Sequence, residues 1–188
     1  MTSIELVNPL EYFRSKVNSA ADRLKIDLDD QIEFYLVNLL CEFIDPSTIY
    51  TDSGEIDLHT PLAIMLKNAL ESAPSEQVKI YKRIGDTSLY FSGYFQDYFN
   101  RKTVNVDYYI SMGASAYTSV SSIMRERHRD EHFTTMYSDL ANEFENLVGL
   151  ISQISGDVSE KFSDKTLSDL SDLELKHILG KKDNSDLQ

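Results

Sequence analysis

The chain has 188 residues and carries 31 acidic against 18 basic side chains, a formal net charge of -13. With 41% hydrophobic and 26% charged residues it has the composition of one globular domain, which excludes a disordered or collagen-like chain. So negative a surface repels phosphate backbones and anionic membranes, and no nucleic-acid partner is expected.

One cysteine, Cys41, permits neither an internal disulfide nor a CxxC site and accords with a reducing compartment. The opening MTSIELVNPLEYF has no basic segment followed by an apolar run, so no signal peptide is expected. No stretch approaches the roughly 18 consecutive apolar residues of a membrane span. A soluble cytoplasmic protein is the expectation.

Apolar spacing is helical almost throughout. A first helix is predicted from Pro9 to Lys25, with Leu10, Phe13, Val17, Ala20, Ala21 and Leu24 on one face. Asp27, Asp29 and Asp30 suit the N-terminus of a second, whose stripe is Ile32, Tyr35, Leu36, Leu39, Leu40 and Phe43. After a loop over 45–59, Thr60-Pro61 starts a third helix bearing Leu62, Met65, Leu66, Ala69 and Leu70, closed by Pro74. A fourth runs from Ser75 to Phe99, with Lys79, Lys82, Arg83 and Asp86 on its polar side. Its second half, LYFSGYFQDYF, is apolar on nearly every side and reads as buried.

Asp107 caps a fifth helix through Ile110, Gly113, Ala114, Tyr117, Val120, Ser121 and Met124, and the polar run RERHRDEH follows. Phe133, Tyr137, Leu140, Phe144, Leu147, Ile151 and Ile154 then keep steps of four and three, predicting one long bundle helix ended by Gly156. The fold is therefore expected to be all-α: a bundle of about six main helices over 1–156. A weakly structured tail over 157–188 would hold one short, loosely attached helix, Leu167 to Leu179.

His128-Arg129-Asp130-Glu131-His132 matches H-x-x-E-H, in which histidines four apart on a helix can ligate zinc. Such a centre needs a third carboxylate ligand well downstream in a much larger domain, where only the weakly structured tail remains, and the charged run reads better as a solvated helix face. Glu174-Leu175-Lys176-His177 is a single E-x-x-H where a di-iron bundle requires two. Ser115 in GASAY lacks the closing glycine and preceding strand of a nucleophile elbow. No catalytic constellation, metal site or cofactor is assigned.

Gly85, Gly93, Gly113 and Gly149 sit inside apolar helical patterns, where each costs about 1 kcal/mol relative to alanine. Two readings account for them: close approach of helices, or bulk removed to admit an elongated apolar ligand. Lys79, Lys82 and Arg83, with Arg125, Arg127 and Arg129, are either locally paired (Lys82 with Asp86 at helical spacing) or an anion site.

KRIGDTSLYFSGYF (82–95) and VDYYISMGASAY (106–117) resemble segments of small uncharacterised helical bacterial proteins, among them an acyl-coenzyme A or fatty-acid binder. The resemblance implies an all-helical fold and an acyl ligand; it assigns no contacts. By spacing, Gly85, Leu89, Gly93, Phe95, Gly113, Ala114 and Tyr117 would surround the chain, and Lys82, Arg83, Arg125 and Arg129 would meet the anionic head group. On this reading Gly113→Leu blocks the ligand while the fold survives. The expected function is non-catalytic binding of an acyl chain as carrier or sensor. The alternative is a protein-interaction module or homodimeric adaptor, using the seam from Phe133 to Ile154 or an aromatic face of the fourth helix.

Overall fold

A computed structural model describes residues 8–43, 62–96, 106–127 and 130–161. Among these there are seven helices and no strand: α1 (Pro9–Leu24), α2 (Asp30–Phe43), α3 (Leu62–Glu71), α4 (Pro74–Tyr94), α5 (Val106–Glu126), α6 (Glu131–Asn142) and α7 (Phe144–Lys161). The all-α expectation is met. No helix among the described residues is long and apolar enough to cross a membrane.

The helix ends follow local chemistry. The Asn8 side chain accepts from the Leu10 N–H at 3.1 Å and Pro9 opens α1. Lys25 ends it in the left-handed region at φ 56°, letting the Ile26 N–H reach back to the Ala21 carbonyl at 3.0 Å. Of the three acids offered as caps, Asp29 accepts from the Gln31 N–H at 2.8 Å. Pro74 opens α4 rather than merely closing α3. Asp107 lies in the first turn of α5 rather than at its cap.

Helix α4 is the axis of the bundle. It packs along α5 and α7 and carries α3 on its flank, while α1 pairs with α2 and α7. Every residue from Ile84 to Gly93 is buried; of the LYFSGYFQDYF stretch expected to be surrounded, Tyr94, Phe95 and Gln96 are half-buried and 97–99 lie outside the described residues. Phe43 stacks on Tyr90 at 4.5 Å between centroids, and Tyr90 stacks on Tyr94 at 5.2 Å. The aromatic run is thus core.

Three interior glycines mark where α4 meets its neighbours. A Cβ on Gly85 would overlap the Tyr117 ring from α5, and one on Gly113 would overlap the Phe144 ring from α7. A Cβ on Gly93 would come within 2.6 Å of the Ile151 Cβ. The space these glycines leave is occupied by side chains of the facing helices, so no ligand channel runs beside them. Gly149 differs: a Cβ there meets nothing within 4 Å.

The long helix expected from Phe133 to Ile154 is instead two. Helix α6 packs on α5 and touches α2, whereas α7 packs on α4 and α1. One straight rod cannot serve both sets of partners. The axis changes at Glu143 (φ -93°, ψ 8°), where the Glu143 N–H still reaches the Asp139 carbonyl at 2.9 Å. No proline or glycine marks the place. Helix α7 also continues through Gly156 to Lys161, past the boundary expected at 156. The Leu167–Leu179 helix lies outside the described residues.

Stripe positions at the bundle edge are wetter than predicted: Leu10, Leu24, Leu70 and Phe133 are all exposed. Buried hydrogen bonding completes the packing, with the Ser121 hydroxyl donating to the Thr134 carbonyl at 2.9 Å across α5 and α6.

The glycine contacts set opposite expectations for two alanine substitutions. Gly113→Ala should lower stability by about 1–3 kcal/mol through overpacking against Phe144, and Gly113→Leu should not fold as wild type. Gly149→Ala, with open space at its Cβ, should raise stability by up to about 1 kcal/mol. Denaturant unfolding of both variants reads the difference.

Candidate functional site

A cleft of about 540 Å³ lies between α2, α4 and α6. Helix α2 supplies Asp30, Gln31, Phe34, Tyr35, Asn38, Leu39 and Glu42, residues one, three and four apart that share one face. Helix α4 supplies Lys82 and Asp86, one turn apart, and α6 supplies His132, Phe133, Met136 and Tyr137.

Its floor is a charged pair inside an aromatic cluster. Asp86 is 2% exposed. Its Oδ2 accepts from the Lys82 ammonium at 2.6 Å, and its Oδ1 accepts from the Tyr117 hydroxyl at 2.8 Å and from the Tyr35 hydroxyl. Three donors on one carboxylate offset a desolvation penalty of several kcal/mol. The rings of Tyr35, Tyr117 and Tyr137 pack mutually at about 6 Å between centroids. Lys82 lies 5.3 Å from the Tyr35 ring centroid, adding a cation–π contact.

Protonation states follow from these surroundings. Burial alone would lower the Lys82 ammonium, but the charge and hydrogen bond of Asp86 more than offset it and hold its pKa above the ordinary lysine range. Burial, reinforced by the Asp86 charge, raises the Tyr35 and Tyr117 phenols well above the usual tyrosine range. Lys82 is a charged donor and both tyrosines are neutral donors at any physiological pH. A protonated lysine is no nucleophile.

The walls are apolar. Leu39 and Met136 are buried, while Phe34 is 71% and Phe133 50% exposed at the two lips. At one end the Gln31 side-chain amide meets the His132 ring, joining α2 to α6. At the other, Arg83 pairs with Glu42 at 2.8 Å and lies 5.0 Å from the Phe43 ring centroid.

Of the eleven residues proposed from sequence spacing, only Lys82 lines this cleft. Gly85, Gly93 and Gly113 serve helix contacts, Leu89 is wholly buried core, and Phe95 stacks on Phe91 at 5.4 Å. Ala114 is half-buried, and Tyr117 lies beneath the cleft, bonded to Asp86. Of the expected anion site, Lys82 and Arg83 face carboxylates, Arg125 is exposed at the end of α5, and Arg129 lies outside the described residues. Local pairing accounts for Lys79 as well, 3.1 Å from Glu76.

The H-x-x-E-H run is not a helical metal face. Helix α5 ends at Glu126, Asp130 caps α6 by accepting from the His132 N–H at 2.9 Å, and His128 lies outside the described residues. Among the described residues no group of three His, Cys, Asp or Glu is placed to hold a metal. Ser115 is exposed and borders a second hollow of about 390 Å³ between α3, α4 and α5, walled by Leu66, Tyr81, Met112 and Tyr108.

Spacing placed Tyr35, Phe133 and Tyr137 in core stripes and Asp86 on a polar face. One signal was there to be read: an acid in a helix half whose other residues are apolar or small must be buried with partners.

Two measurements test this floor. Asp86→Ala strands two hydroxyls and an ammonium, and should cost about 3 kcal/mol in denaturant unfolding; Lys82, 41% exposed, can turn to water and limits the loss. Because the folded-state pKa values of Tyr35 and Tyr117 are raised, their contribution is present below about pH 10 and is lost as pH rises further. In an alkaline titration, part of the phenolate absorbance should therefore appear only together with loss of helical circular dichroism. Compared with known proteins, the chain matches no family model, no curated protein and no solved structure.

Proposed function

We propose that the protein binds a small, elongated apolar ligand of the acyl-chain class in the α2–α4–α6 cleft, as a carrier or sensor and without catalysis. The observation that carries this reading is the pairing of two exposed phenylalanines, Phe34 and Phe133, over an apolar-walled cleft with a charged, hydrogen-bonded floor. Large apolar side chains held in water at the lips of a concavity are what an amphipathic occupant would cover.

A volume of about 540 Å³ lies within the usual span of small-molecule pockets. Ten methylenes offer about 8 kcal/mol gross on burial. Association and ordering remove several of these, leaving a dissociation constant of about micromolar order. The Tyr35 and Tyr117 hydroxyls and one Lys82 N–H are committed to Asp86, and the proposed binding uses no reacting group.

Calorimetry with medium-chain acyl compounds tests the proposal. Saturable binding below about 100 micromolar is expected, and Phe34→Asp or Phe133→Asp should weaken it by about tenfold, some 1.4 kcal/mol. Leu70→Asp, equally exposed but on α3, should leave affinity unchanged. Absence of binding, or equal loss in all three variants, overturns the assignment.

A further inference from the structure

Resting on that reading of the cleft, we infer that its ligand carries a neutral hydrogen-bond-accepting head (an amide, ester or alcohol) rather than a carboxylate or phosphate. The inference comes from counting charges and free donors. Asp30, Glu42 and Asp86 line the cleft as carboxylates, and Lys82 is the one ammonium among its described lining residues.

The donors on the floor are committed unequally. The Tyr35 and Tyr117 hydroxyl protons point to Asp86, which leaves neither for a ligand. Lys82 has three N–H bonds. One goes to Asp86 at 2.6 Å; the side chain is 41% exposed and lines the cleft, so donors remain for an incoming oxygen. Arg83, at the Glu42 end, is 2.8 Å from that carboxylate.

An anionic head would therefore approach an ammonium already neutralised by Asp86, with Asp30 and Glu42 at the rim adding repulsion. A neutral carbonyl or hydroxyl oxygen accepts the same Lys82 N–H without that repulsion. A cationic head is attracted by Asp30 and Glu42 at the rim but meets the Lys82 charge at the floor, where Asp86 is 2% exposed and already accepts from three donors. The apolar body is common to all three, so the head alone decides among them.

Matched decyl probes separate these cases: decanamide, decanoate and decylamine titrated into the full chain at neutral pH, where the acid is ionised and the amine protonated. Decanamide should bind tightest, and decanoate about tenfold more weakly. The double variant Asp30→Asn/Glu42→Gln, altered only at exposed rim positions, should narrow the gap by strengthening decanoate severalfold more than decanamide. Added salt should narrow it in the same direction. Decanoate or decylamine binding as tightly as decanamide overturns the head-group assignment and leaves the cleft reading standing. So does a gap unchanged in the double variant. Binding by none of the three probes removes the cleft reading and this inference together.

Discussion

A carboxylate buried at the centre of the bundle constrains everything packed around it. Asp86 sits in the buried middle of α4 and is itself 2% exposed. Its charge is tolerable only while Lys82, Tyr35 and Tyr117 all reach it. These come from three helices, so satisfying one side chain sets the relation of α2 and α5 to α4. Gly85, next in sequence, completes the arrangement. Without a Cβ it lets the Tyr117 ring lie against α4, close enough for its hydroxyl to meet Asp86 at 2.8 Å.

The same device explains the placement of the cleft. Small residues draw α4, α5 and α7 together, with Gly93 against Ile151 and Gly113 against Phe144. On the α2 and α6 side, the large rings of Tyr35 and Tyr137 hold the helices apart above the ion pair. The bend at Glu143 contributes too. It directs α6 across α5 towards α2, where Phe133 and Met136 face Phe34 and Leu39 across the opening. The cavity thus lies where bulky side chains space the helices, and the glycines mark where no cavity forms.

On the proposed reading, this floor serves recognition rather than chemistry. The ammonium is held protonated, the phenols are held neutral, and each polar group is turned towards another. If the proposed ligand binds there, a site preorganised in this way would discriminate among head groups by charge and donor geometry, while the apolar walls would supply affinity with little regard to detail.

Helix class, most helix positions and the burial of the LYFSG stretch are marked in the local pattern, and spacing alone indicated them. A 3.6-residue apolar period needs no knowledge of the partner. The pairing of Lys82 with Asp86 was legible for the same reason, being four residues apart on one helix. What only the tertiary structure decided depends on which faces meet. An interior glycine signals a missing Cβ, but whether a ring or a ligand fills the space is set by a helix distant in sequence, as Tyr117 does for Gly85. The stripe from Phe133 to Ile154 is continuous in sequence, yet its halves serve different neighbours, and no breaker residue records the bend. Phe34 was absent from every predicted face, and Phe133 was read as core; both stand at a cleft that exists only once α2 and α6 lie side by side. Periodicity reports that a residue faces something; the identity of that something is a property of three-dimensional packing.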